Sequence, residues 1–282
     1  MNNAIETRGL TKHFKDFTLD SLDLELPEGC ILGLIGENGA GKTTAIKLLL
    51  GILKPDSGTA SVLGQDIFGD MSRVKEDVGV VLDEPGLPEK LTLRQLEKIM
   101  PSIYKSWSRE DFSHYIRRME LPEDKPYKEF SRGMKMKLGL VLALSHKPRL
   151  LLLDEATSGL DPVVRDSVTD LLLDFTRDKG HSVLISSHIV SDLEKLCDYI
   201  AFLHKGKLML LEEKDALMEE YGLLQCSRDE AERIDPSAII GRRDNPYGSR
   251  LIVRTDALPR GTKTQPVSIE ELFVFMVKED KE

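Results

Sequence analysis

Four short stretches of the 282-residue chain are apolar almost without a break: "CILGLIG" (30–36), "VGVVL" (78–82), "RLLLLD" (149–154) and "HSVLISSH" (181–188). Continuous runs of this length, without polar alternation, fit strands covered on both faces. They predict a parallel sheet with helices on each side, hence an α/β fold. A helix is predicted to open near Lys42 and run through "TTAIKLLL", stopped by Gly51 and Pro55. Between about 85 and 148 the strand signal disappears. "LTLRQLEKIM", "REDFSHYIRRME" and "GMKMKLGLVLALS" carry apolar residues at helical spacing instead, which predicts a helical insertion between two strands.

The pattern changes again past Leu211. A charged stretch, "LEEKDALMEEYG", leads to the strand-like "LLQCS" and "SRLIVRT" and a final helix, "SIEELFVFMVKE". This reads as a small α+β appendage, giving a core over 1–215, a helical subdomain at about 85–148 and an accessory region over 216–282. The apolar positions of "ELFVFMV" fit a core helix, and they also fit a face exposed for dimer contact.

Composition narrows the choices. A net charge of −9 argues against a surface dedicated to nucleic acid. Cys30, Cys197 and Cys226 are odd in number and far apart, which suggests no disulfide framework and a reducing compartment. The N-terminal "MNNAIETRGLTKHF" is mixed polar, unlike a signal peptide. The apolar run "LGLVLALS" falls far short of the ~20 residues that span a bilayer. A soluble chain is expected, one that would need an inserted partner to work at a membrane.

The chemistry-bearing motif is Gly36-Glu37-Asn38-Gly39-Ala40-Gly41-Lys42-Thr43, which matches G-x-x-x-x-G-K-[ST] between a predicted strand and a predicted helix. Glycines let backbone N–H groups turn inward around phosphates, and the helix N-terminus adds favourable dipole charge. Ala40 and Thr44 complete the cradle. Lys42 would reach the β- and γ-phosphates, and the Thr43 hydroxyl would ligate Mg²⁺. Downstream, "LLLLDE" ends a buried strand in Asp154, a carboxylate suited to Mg²⁺, and then Glu155, which can polarise an attacking water. "FSRGM" (130–134) places a Ser-Arg-Gly turn before an apolar helix, the grammar of a second anion site. His188 stands at a strand end, where it could sense a γ-phosphate or be an ordinary surface histidine.

The order of these pieces, namely P-loop, helical insertion, "FSRGM", "LLLLDE", "SGLD" (158–161) and "SSH" (186–188), resembles the ATP-binding-cassette ATPases over roughly residues 4–215. The resemblance implies a P-loop NTPase core that binds ATP and Mg²⁺, with Glu155 and His188 catalytic. It also implies two cassettes packed head to tail, each signature completing the other's site. Ser131 and Gly133, with Arg132 and Met134 beside them, would then contact the ATP held by a partner chain, and Asp161 would lie in the interface. Phe14, in "LTKHF", matches the aromatic position that stacks on adenine, and a packed core phenylalanine is the plainer alternative.

Two positions depart from the family pattern. Arg132 and Met134 replace the commoner Gly and Gln of the signature. Asp83 stands where the family places a Gln that touches Mg²⁺ and water. A carboxylate there can still ligate the ion, but it adds negative charge and loses an amide donor.

Among cassettes, the "SRGMK" signature, the "LDEP" loop and the C-terminal extension resemble the subunits of bacterial exporters whose permease is a separate chain. That implies a transmembrane permease partner docking near Glu84–Leu91, a second cassette chain (identical or not), and a place on the cytoplasmic face of the membrane. Soluble relatives acting on DNA or the ribosome carry a long coiled coil or two fused cassettes, and neither is present here. A third reading, a sensor that binds ATP and barely hydrolyses it, would rest on Asp83.

Overall fold

The centre of the computed structural model, which describes residues 2–69, 74–82, 86–178, 180–259 and 261–279, is a six-stranded sheet. Its order is β11 (Lys207–Glu213), β10 (Tyr199–His204), β4 (Ile31–Ile35), β9 (Ser182–Ser187), β8 (Leu150–Asp154) and β7 (Val78–Val81). Strands β10, β4, β9, β8 and β7 run parallel, and β11 folds back antiparallel on β10. Every residue of β4, β8 and β9 is buried. Three of the four continuous apolar runs are thus inner strands of one sheet, and the fourth, β7, is its parallel edge strand, covered by α4. Ile35 pairs with Ser187 and Asp154 with Ser186, so the carboxyl ends of β4, β9 and β8 finish level with one another. That edge is where open α/β sheets place their ligands.

A second, antiparallel sheet was not anticipated from the sequence. It comprises β1 (Asn3–His13), β2 (Thr18–Leu22), β3 (Glu25–Pro27), β5 (Ser57–Val62) and β6 (Gln65–Asp66), with β1 pairing to β2, β3 and β5. Register shifts at Leu10/Lys12 and Arg8/Thr11 break the two-residue alternation in β1. Thr7 and Thr11 are also buried on it. Thr7 Oγ1 donates to Leu22 O (2.7 Å) and accepts from Leu24 N (2.8 Å), so a polar residue sits inside without an unpaired group.

Helix α1 (Lys42–Leu49) follows β4. The insertion between β7 and β8 holds α2 (Leu93–Ile99), α3 (Arg109–Arg118) and α4 (Arg132–Leu144), as the helical spacing predicted. Residues Leu138 to Leu144 of α4 are all buried, which seats that helix against β7. Helices α5 (Pro162–Thr176) and α6 (Val190–Leu196) flank β9.

Beyond β11 come α7 (Lys214–Glu220), β12 (Tyr221–Cys226), the single-turn α8 (Arg228–Ala231), β13 (Ile239–Asn245), β14 (Gly248–Arg254), β15 (Gln265–Pro266) and α9 (Ile269–Glu279). The four strands form a sheet in the order β13-β14-β12-β15. Leu272, Phe273, Phe275 and Val277 of α9 are buried, and the Phe273 ring meets Phe202 of β10 edge-on at 5.2 Å. The apolar face of the last helix is therefore core, in one cluster with the central sheet.

Candidate active site

The turn from β4 into α1 requires glycine where the sequence supplies it. Gly39 (φ 82°) and Gly41 (φ 111°) lie in the left-handed region. A Cβ on Gly36 would fall 2.5 Å from Leu203 O, so only glycine lets the turn approach β10. The N-cap of α1 is Gly41, with no side chain satisfying the first-turn amides. First-turn amides without a side-chain cap suit an anion. Lys42 is 5% exposed, and its Nζ donates to Gly36 O (2.7 Å) and Glu37 O (3.2 Å).

Asp154 ends β8 beside this turn. Its Oδ2 accepts from Thr43 Oγ1 (2.7 Å) and its Oδ1 from Ser186 Oγ (2.7 Å). Ser186 Oγ in turn accepts from Glu155 N (3.1 Å), so one serine of β9 braces two consecutive acidic residues. Sequence reasoning gave Ser186 no role, since a serine inside an apolar strand carries no signal of its own.

Glu155 has φ 54°, a left-handed conformation that costs a non-glycine residue about 1–3 kcal/mol. That backbone turns its carboxylate toward Lys42, with Oε1 3.1 Å from Nζ. His188 Nδ1 donates to Oε2 at 2.7 Å. Lys42, Glu155 and His188 thus form one continuous polar chain.

Asn38 to Thr44, Asp154 and Glu155 line a cleft of about 590 Å³, closed on another side by Asp16 and Phe17. Phe14 does not line it. That ring is 43% exposed, one turn away, with its centroid 6.2 Å from that of Phe17. Asp83 and Glu84 lie outside the described residues.

Magnesium fits the donors present. Thr43 and Asp154 offer a hydroxyl and a carboxylate oxygen in contact, both hard ligands. Among the described residues there is no cluster of three or more His, Cys, Asp or Glu able to hold a metal. An ion held by one carboxylate, one hydroxyl, phosphate oxygens and water is the arrangement typical of Mg²⁺.

A second cleft, of about 380 Å³, gathers the other expected residues. Ser131, Arg132, Gly133 and Met134 line it together with Asp161, Gly159 and Lys137. Ser131 caps α4, its Oγ accepting from Met134 N at 3.2 Å. Asp161 caps α5, its Oδ1 accepting from Val163 N (3.1 Å) and Val164 N (3.0 Å). The Arg132 guanidinium lies over Gly159 (φ 67°), where a Cβ would come within 2.7 Å of Nη1. Lys137 Nζ donates to Met119 O (3.3 Å). Among the described residues, none lines both clefts.

Residues 19–158 match the family model described as "ABC transporter". The bacitracin transport ATP-binding protein BcrA of Bacillus licheniformis is 35% identical over 74% of this chain and 69% of its own. The ABC transporter ATP-binding protein YtrB of Bacillus subtilis (strain 168) is 33% identical over 96% of this chain and 97% of its own. A solved structure of an ATP-binding subunit of an ABC transporter superposes with a TM-score of 0.69 at 26% identity, covering 76% of this chain and 91% of that one.

Proposed function

The chain belongs to the ABC transporter ATP-binding proteins and is an ATPase of that family, and on that premise we propose that it pairs with a second cassette around two ATP molecules to drive a separate transmembrane permease. The observation that carries this reading is the separation of the two clefts. Ser131 and Gly133 share no pocket with Lys42, so one chain holds two half-sites rather than one complete site. Head-to-tail pairing would bring each half to its complement.

In this reading the P-loop amides and Lys42 hold the β- and γ-phosphates, while Thr43 and Asp154 hold Mg²⁺. The ion supplies charge neutralisation at the phosphates. The Lys42 ammonium exchanges Glu155 for phosphate oxygens, and Glu155, kept in line by His188, accepts a proton from the attacking water. Loss of the γ-phosphate then removes the contacts made by Ser131 and Gly133, and the pair opens.

Export is the direction favoured by the signature and the C-terminal extension. One relative is a bacitracin transport ATP-binding protein, which is compatible with that direction. Among the described residues no helix is long and apolar enough to cross a membrane. The permease would hold the chain at the inner face, with residues 1–215 as the ATPase and 216–282 as an accessory region.

The test is recovery of partners from detergent-solubilised membranes with a tagged chain. A polytopic protein in near-equal amount is expected. Only soluble partners, from membranes shown to be fully solubilised, would remove the transport reading and leave the ATPase.

A further inference from the structure

Two stretches of chain leave the level carboxyl ends of β8 and β9. One runs from Glu155 into the 159–161 loop, which lines the second cleft, and the other from His188 into α6. His188 and Glu155 join the two stretches at their start. Arg165 of α5 joins them again, outside both clefts. Its Nη2 donates to Leu160 O at 3.1 Å, and its Nε stands 3.3 Å from Asp192 Oδ2 in the first turn of α6. That Nε and that Oδ2 are buried and make no hydrogen bond among the described residues, so the link to α6 is an ion pair.

A buried ion pair contributes little net stability, and exchanging both members for apolar residues is often neutral. What this one supplies is position. It ties the Leu160 carbonyl to a helix that opens at Val190, directly after His188 and Ile189.

We propose that Arg165 is a positioning residue that sets the 159–161 loop of the second cleft according to the contact His188 makes at the first. This rests on the reading of the clefts as two half-sites. A shift of His188 as the γ-phosphate arrives or leaves passes through Asp192 and Arg165 to Leu160, and so to Asp161 and to Gly159, which lies under the Arg132 guanidinium. Each chain thereby makes the half-site it lends its partner depend on its own nucleotide.

The test measures MgATP affinity, hydrolysis and its cooperativity in chains that pair. Arg165→Lys keeps a cation beside Asp192 and gives up the planar fork that also reaches Leu160 O. Arg165→Met/Asp192→Leu removes both charges and leaves neither buried alone. Neither residue lines a cleft. Both variants should therefore bind MgATP within about twofold of wild type, while kcat falls about five- to tenfold and the Hill coefficient drops toward that of independent sites.

A residue that only supported the fold would lower the melting temperature and the active fraction, and the pairs that survive would keep their cooperativity. An unchanged Hill coefficient in either folded variant, whatever happens to kcat, overturns the proposal. So do independent sites in wild-type chains that do pair, with no variant needed. A wild-type chain that binds MgATP and stays single at saturating nucleotide would instead remove the reading of two half-sites.

Discussion

Lys42 and Glu155 neutralise one another across 3.1 Å at the floor of the P-loop cleft, and both are largely buried. In the proposed function each must release the other before it acts on nucleotide. Glu155→Gln removes the anion and keeps the shape. It should lower steady-state hydrolysis by a factor of about 10²–10⁴, the usual worth of a positioned base, while ATP binding is kept or strengthened. Phosphate release and nucleotide titration check both halves, and a variant that loses ATP binding would show that Glu155 supports the fold of the cleft.

Ser186 is the brace that joins the two acidic residues. Ser186→Ala removes the donor to Asp154 Oδ1, while Glu155 N, which also donates to Ser186 O at 3.1 Å, loses only its second acceptor. Leaving a buried carboxylate oxygen without its donor costs about 1–3 kcal/mol. Thermal unfolding should move down by several degrees, with hydrolysis reduced beyond what the lost folded fraction explains. A melting temperature within a degree of wild type would contradict this.

Gly159→Ala meets two obstacles at once, a left-handed backbone and the Arg132 guanidinium. Hydrolysis should fall several-fold. In an Arg132→Ala background the same change should cost less, because only the backbone strain is left. Strict additivity in this double-mutant cycle would mean the side chain and the loop are uncoupled.

His146 is buried, stacked on Tyr104 at 4.0 Å, and its Nδ1–H donates to Leu142 O (3.4 Å). Burial, the largest cause, holds its pKa below the ordinary histidine value. The unfolded chain, titrating near 6.5, therefore binds a proton that the folded chain refuses. Stability from this group is present above about pH 6.5 and is lost as pH falls below it. His146→Phe keeps the stacking and should flatten the fall in melting temperature between about pH 6.5 and 5. An unchanged slope would assign that pH dependence to other groups.

What the sequence made legible was whatever the chain writes locally. The runs around Leu34, Leu152 and Ile185 are strands because no polar face interrupts them. Lys42, Thr43, Asp154 and Glu155 meet because their motifs sit at the carboxyl ends of strands that turned out to be neighbours or next neighbours. The antiparallel sheet built on β1 escaped because β1 buries threonines and shifts register, which erases alternation. Ser186 and Phe17 escaped for another reason: each is an ordinary residue whose place at the cleft comes only from what lies across from it. Phe14 carries the motif position, yet Phe17, three residues on, lines the cleft.

For a pair made of two copies of this chain, two clefts that share none of the described residues have a genetic consequence. A chain carrying Lys42→Ala keeps a sound signature, and a chain carrying Ser131→Ala keeps a sound P-loop. Each alone would build pairs with both sites broken. Expressed together they would build mixed pairs in which one site joins the good P-loop of one chain to the good signature of the other. Two alleles that each fail alone would then restore one another in part, and two alleles hitting the same cleft would not.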